Sequence, residues 1–311
     1  MRCLVSGRSG FLGRYVVDHA KASGWIIDAL GRSRASDISH DLADGPPELP
    51  QLGYDVVYHA AGKAHLFPRT EEDKEAFFRV NTQGTANLLT ALERQERLPQ
   101  AFVLVSTMAV YGKERGEAIT EEAPREASDP YGLSKIQAED LALEWGERHG
   151  VRIGIVRLPL VAGAGAPGNL GAMISAIRRG RYMGIGGGQA KRSVVLASDV
   201  ARILPVVAEK GGIYNLTDGH HPTFVEIERA IAGAIGRQAP KHIPLSLASV
   251  GARVGDVIVK ATGRRFPLTS QALSKMTSTL TFDDSKARRE LGWEPAPVLD
   301  HVKEWVQYGG N

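Results

Sequence analysis

Three glycines near the start, in Gly7-Arg8-Ser9-Gly10-Phe11-Leu12-Gly13, constrain this chain more than any other feature. They follow the apolar run Cys3-Leu4-Val5 with only Ser6 between, and they precede Leu12, Tyr15, Val16 and Ala20 at helical spacing. Strand, glycine turn and helix in that order form the context of a phosphate-binding turn. Gly7 permits the tight turn, Gly10 lets the backbone approach a pyrophosphate, and Gly13 lets the helix pack close to the strand. The helix N-terminus offers free N–H groups and the positive end of its dipole. The expected dinucleotide contacts here are Gly7, Ser9, Gly10, Phe11, Leu12 and Gly13.

The next strand, Trp25 to Leu30, runs into Gly31-Arg32-Ser33-Arg34. Sites for NAD usually carry an acid at this point, which binds the adenosine ribose. Here Gly31 gives room while Arg32 and Ser33 offer charge and donors, which suits a 2′-phosphate, so NADP is favoured over NAD. Asp28, inside this apolar strand, has no explanation from sequence.

Further on, Asp55 to His59 is a strand ending in the small residues Ala60-Ala61-Gly62, which leave space for a ligand at its carboxyl end. Lys63 and His65 follow and are candidate substrate contacts. One long amphipathic helix is expected from Glu72 to Arg94, with Asn81 and Gly84 in its middle. Ala101 to Val105 is a buried strand that leads into Ser106-Thr107. Asp129 caps the next helix and Pro130 takes its first position. Tyr131 then stands in the first turn, with Lys135 one turn on and on the same face. Strand and helix alternate to about residue 160, as in a doubly wound parallel sheet. Beyond it the composition becomes glycine-rich. The expected division is a Rossmann-like dinucleotide-binding domain over 1–162, to which 194–216 returns, and a smaller α/β substrate-binding domain from 163–193 and 217–311.

A phenol titrates near pH 10 when unperturbed, at about that value. A lysine one turn away and a helix N-terminus both favour the phenolate. Tyr131 is therefore the candidate to move a proton while hydride passes to or from nicotinamide, with Thr107 hydrogen-bonding the same substrate oxygen.

At 311 residues, 43% hydrophobic and 23% charged, the chain reads as an ordinary globular protein. Its net charge of +3 is scattered, so no nucleic-acid partner is expected. Cys3 alone excludes an internal disulfide. No apolar run approaches the length of a membrane span, and no leader is evident; a cytoplasmic protein with no membrane partner is expected. No metal is called for.

The chain resembles the extended short-chain dehydrogenase/reductases, the NAD-dependent epimerase/dehydratase family. The resemblance rests on the three glycines, Asp41-Leu42, Asp55 with His59-Ala60-Ala61, Asn81 with Gly84-Thr85, Ser106-Thr107 with Val110-Tyr111-Gly112, Tyr131 with Lys135, and Arg157 with Pro159. It implies that Asp41 and Leu42 lie near adenine, and that Ala60, Ala61, Gly62, Val105, Lys135 and Pro159 line the cofactor. It makes Thr107, Tyr131 and Lys135 the catalytic residues, with Ser106 competing for Thr107's place. The second half looks like the nucleotide-sugar branch. There Asn169 and Arg192, with a late arginine that Arg264 or Arg265 fits, would grip a diphosphate bidentately. Sugar 4,6-dehydratases place Asp-Glu directly after the threonine, where this chain has Met108 and Ala109, and neither transfers a proton. The expected activity is thus reduction of a 4-keto sugar carried on a nucleoside diphosphate of the UDP type. The alternative is a UDP-sugar 4-epimerase; a small-alcohol or ketone reductase and a non-catalytic nucleotide sensor stand behind these. The family resemblance also implies a homodimer.

Overall fold

The computed structural model describes residues 1–64, 68, 70–262, 266 and 268–306. The first strand β1 (Arg2–Ser6) feeds helix α1 (Phe11–Ala22), and β2 (Ile26–Gly31) and the short β3 (Ile38–Ser39) follow. Then come β4 (Val56–His59), α2 (Glu71–Phe77), a π-helical turn (Phe78–Gln83) and α3 (Gly84–Glu93). After β5 (Ala101–Thr107) come the short β6 (Gly116–Ile119), α4 (Pro130–His149) and β7 (Arg152–Leu158). The later elements are β8 (Leu160–Ala162), α5 (Gly168–Arg178), β9 (Gly184–Ile185), β10 (Val194–Leu196), α6 (Ala197–Lys210) and β11 (Gly212–Asn215). They end with α7 (Phe224–Ala234), β12 (His242–Ile243), α8 (Leu245–Thr262), α9 (Ser270–Thr277), β13 (Leu280–Phe282), α10 (Ser285–Leu291) and α11 (Val302–Val306).

Seven strands form one parallel sheet in the order β11-β7-β5-β4-β1-β2-β3. The chain winds outward both ways from β1, so the crevice for a ligand opens at the carboxyl ends of β1 and β4. The strands are apolar on both faces because helices cover both. Cys3 and Val5 pack with Val16, Val17, Leu204 and Val207 of α1 and α6. Leu4 and Phe102 pack on the other face with Leu88, Leu92, Ala138 and Trp145 of α3 and α4. A smaller layer joins α5, α7 and α11 through Ile174, Ile231 and Trp305. The expected α/β sheet with a smaller C-terminal layer is what the chain forms. The two-stranded parallel pair β8–β10 stands apart from the main sheet, whereas β11 joins its edge.

Two local surprises have physical causes. The helix expected over Glu72 to Arg94 is interrupted by the π turn, because Asn81 leaves the helical surface to bond elsewhere. Its Oδ1 accepts from the Lys63 amide (2.7 Å), and its Nδ2 donates to the Lys63 carbonyl (3.1 Å) and Ser134 Oγ (2.9 Å). A π turn inserts one residue into the ladder and frees such a side chain to turn inward. Asp28 is paired across the sheet with Arg2, whose Nε donates to Oδ2 at 2.9 Å. Among the described residues no helix is long and apolar enough to cross a membrane.

Candidate active site

Gly7 has φ +80°, and a Cβ on it would stand 2.6 Å from the Ala61 amide, so the turn presses directly on the small residues that end β4. A Cβ on Gly13 would overlap the Gly7 carbonyl oxygen. The two glycines hold α1 hard against β1, and Gly10 caps α1 with no side chain over its first amides. An uncapped helix start behind a glycine cradle fits the pyrophosphate of a dinucleotide.

Beside this cradle, the Ser6 hydroxyl bonds His59 Nδ1 (2.5 Å), and His59 Nε2 meets Thr85 Oγ1 (3.0 Å). Thr85 in turn donates to the Asn81 carbonyl (2.6 Å). Burial drives the His59 pKa down to about 3, with Lys135 adding to the fall, so the ring is a neutral strut. This chain of bonds fixes Ala60 and Ala61, since Ser6 Oγ also accepts from the Ala61 amide at 3.3 Å.

Two cations stand near the loop that follows β2, where the sequence leads one to expect the adenosine end of the cofactor. Arg32 is 79% exposed and stands 3.9 Å from Asp41. Arg8, in the glycine turn itself, donates to the Ala35 carbonyl (3.1 Å) and lies 3.9 Å from Asp37. Sequence reading attended to the glycines and passed over Arg8, although its place between them was the available signal. Ser33 Oγ accepts from the Ala35 amide (3.1 Å) and shapes the same loop. Leu42 is buried, its carbonyl held by Asn87 at 2.7 Å.

Asp129 caps α4 through Oδ1, which accepts from the Tyr131 and Gly132 amides at 3.1 Å each, and Pro130 takes the first position. The cap sets Tyr131 against Phe77, ring centroids 5.9 Å apart, with its hydroxyl on Thr107. Lys135 is buried and donates from Nζ to the Val105 carbonyl (2.8 Å). Ser106 turns the other way and donates to Glu139 Oε1 (2.5 Å), so Thr107 is the hydroxyl that faces Tyr131.

The electrostatics differ from the expectation for Tyr131. Burial raises the phenol pKa and Asp129 raises it further, while the Thr107 hydroxyl lowers it; Lys135 is not among the causes. The lysine is itself depressed to about 8 by burial, against the opposing pull of Glu139. The hydroxyls of Tyr131 and Thr107 thus face one another at the carboxyl end of β5.

Beneath the site, Arg157 clasps Glu139 with two bonds, Nε to Oε1 at 3.1 Å and Nη2 to Oε2 at 2.7 Å. Its Nη1 donates to Tyr111 (2.9 Å), which donates to Asn215 Oδ1 (2.8 Å). Glu139 was another residue that sequence reading missed; only its position one turn after Lys135 hinted at it.

Among the expected substrate contacts, Lys63 Nζ lies 5.9 Å from the Phe77 ring centroid, close to Tyr131. Asn169 is exposed in the first turn of α5. Arg192 stacks on Phe224 and donates to the carbonyls of Lys191, Lys275 and Ser278. Among the described residues it has no carboxylate partner, and burial lowers its pKa to about 10. Pro159 links β7 to β8, and Met108 is buried beside Tyr111. His65, Arg264 and Arg265 lie outside the described residues.

Residues 3–217 match the model of the NAD dependent epimerase/dehydratase family. The chain belongs to that family. It is an NAD(P)-dependent enzyme of the epimerase/dehydratase family. A relative from Escherichia coli O157:H7, N-acetyl-α-D-glucosaminyl-diphospho-ditrans,octacis-undecaprenol 4-epimerase, is 26% identical over 98% of this chain and 94% of its own. A second, from Stigmatella aurantiaca, is 4-hydroxy-2-methyl-3-oxo-4-farnesyl-3,4-dihydroquinoline-1-oxide ketoreductase. It is 31% identical over 94% of this chain and 92% of its own. In fold, the chain is similar to the UDP-glucose 4-epimerase of Thermotoga maritima solved with UDP-glucose. The TM-score is 0.76 at 22% identity, covering 99% of this chain and 98% of that one.

The depressed Lys135 makes stability depend on pH in a defined direction. In the folded state it loses its proton near pH 8, whereas an unfolded lysine keeps it to about pH 10.4. Between these values the unfolded chain binds more protons, so the Lys135 contribution makes stability rise with pH across that window. Denaturant unfolding of the wild type and Lys135→Met at several pH values should show this rising component only in the wild type.

Proposed function

We propose that this enzyme reduces the C4 ketone of a sugar carried on a diphosphate, with NADPH as reductant and Tyr131 as proton donor. The observation that carries the reading is the placement of Tyr131, half-buried against Phe77 in the first turn of α4 with its hydroxyl by Thr107 at the carboxyl end of β5. NADPH, when bound, supplies the hydride that reduces the ketone carbon. Tyr131 gives its hydroxyl proton to the ketone oxygen, so the product is the C4 alcohol. Thr107 orients that oxygen. Lys135, fixed on the Val105 carbonyl, would hold the nicotinamide ribose. A net proton donor suits reduction better than an enzyme that alternates oxidation and reduction. Met108 and Ala109 leave no group to eliminate water, which argues against 4,6-dehydration.

Arg192 is the group we assign to the diphosphate. Among the described residues its partners are carbonyl oxygens and an aromatic face, which leaves its charge for an anion. A nucleoside diphosphate of the UDP type is the favoured carrier, with Asn169 sharing the diphosphate and Lys63 near the sugar. The rival reading is a UDP-sugar 4-epimerase that keeps its NAD bound. A homodimer across the outer faces of α3 and α4 belongs to the same proposal, and Leu143 of α4 is exposed there.

Two outcomes test this reading. Tyr131→Phe should lower kcat for NADPH-linked reduction of a UDP-4-keto-6-deoxy sugar by about 10²–10⁴-fold, with cofactor affinity unchanged. Thr107→Val should cost less, because it orients the oxygen without moving a proton. Near-normal turnover of Tyr131→Phe would remove the phenol from the mechanism. For the cofactor, titration should show NADPH binding more tightly than NADH. Arg8→Asp and Arg32→Asp should each cost NADPH on the order of 1.5–3 kcal/mol and narrow or reverse the preference. Equal affinities for the two cofactors in the wild type would refute the assignment of both arginines.

A further inference from the structure

Helix α8 inverts the usual arrangement of a surface helix. Its inner face carries the smallest residues: Ala248 and Ala252 are buried, and a Cβ on Gly255 would run into the Leu268 carbonyl. Its large apolar residues point outward instead. Leu247 is 64% exposed, Val250 61%, Val254 50% and Val257 66%. At 3.6 residues per turn these four share one arc of about 80°. Leu245, at the start of the helix, is turned to the other side, where it packs over Gly186. No other described helix exposes so many large apolar residues, so the stripe is a local feature.

The charge around it has one sign. Arg253 and Lys260 are exposed along one edge of the stripe and make no ion pair among the described residues. Arg181 and Lys241 stand exposed beside the β9–β12 pair at its end. The one acid on α8, Asp256, is turned to the start of α9, where it accepts from the Ser270 amide (3.0 Å) and hydroxyl (2.5 Å).

We propose that the outer face of α8 is a docking surface for an anionic lipid bilayer, with the helix lying in the interface. An apolar stripe edged by unpaired cations is the pattern of an interfacial helix. The charge argues against a second copy of the chain, because a twofold pairing of this face would bring Arg253 and Lys260 against like charges. The expectation of no membrane partner rested on the lack of a long apolar run, which an interfacial helix does not need. The surface lies one helix from the substrate grip: α9, which packs on α8, supplies the Lys275 and Ser278 carbonyls that hold Arg192. The proposal stands independently of which sugar is reduced.

Co-sedimentation of the whole protein with phosphatidylcholine vesicles, with and without phosphatidylglycerol, tests it. Binding should require the anionic lipid and weaken with salt. Arg253→Gln and Lys260→Gln should each weaken it by about fivefold. Val250→Asp with Val254→Asp should abolish it while NADPH binding, measured in parallel, stays intact and shows the fold preserved. No binding to anionic vesicles, or binding that survives the aspartate pair, would overturn the proposal. So would light scattering that shows self-association lost in the aspartate pair while vesicles are ignored, which would give the face to a second copy.

Discussion

The carboxylate of Glu139 is fully buried between the guanidinium of Arg157 and the hydroxyl of Ser106, and much of the site depends on that placement. Two charges taken from water are tolerable only where geometry and hydrogen bonding are nearly complete. Here both carboxylate oxygens and all three guanidinium nitrogens have partners. Arg125 adds a second contact to Oε2, at 3.4 Å. The consequence is mechanical. Glu139 lies one turn beyond Lys135 on α4, Ser106 adjoins Thr107 on β5, and Arg157 is two residues before Pro159 on β7. Tyr111 and Asn215 extend the tie to β11. One buried pair thus fixes the relative positions of the elements that present the lysine, the threonine and the cofactor-lining proline. Losing either partner would leave an uncompensated buried charge, at a cost of about 3–5 kcal/mol.

On the other side of the crevice the same task falls to neutral groups. His59, unable to charge in the working range, links β1, β4 and α3 through Ser6 and Thr85. Asn81 carries the linkage to Lys63 and to Ser134 on α4. The distortion of the helix into a π turn follows from that demand. A phenol packed between these two frameworks is desolvated, and desolvation keeps it protonated. Lys135, one turn on, is fixed instead on the Val105 carbonyl.

Local chemistry made much of this legible in the sequence. The glycine turn, the Asp129 cap with Pro130 behind it, and the strand-helix alternation are signals confined to a few residues each, and the structure has them where the sequence placed them. What sequence could not show were pairings between distant residues. Asp28 looked anomalous in its strand because its partner, Arg2, lies on the neighbouring one. Glu139 and Arg157 meet only once α4 packs on the sheet. The C-terminal layer was read poorly for another reason. Helix α8 faces inward with alanine and glycine, so it does not show the apolar stripe that betrays a buried face. In α8 the visible apolar residues are the exposed ones.

The central claim, that Tyr131 and Thr107 serve a net transfer of hydride to a sugar C4, is tested most directly by following the hydride. With NADPH deuterated at the transferring position of C4 and a UDP-4-keto-6-deoxy sugar, the account predicts one NADPH consumed per product, with deuterium at C4 of the sugar alcohol. Interconversion of UDP-sugar C4 epimers by enzyme-bound NAD, with no net consumption of NADPH and no deuterium in the product, would contradict it.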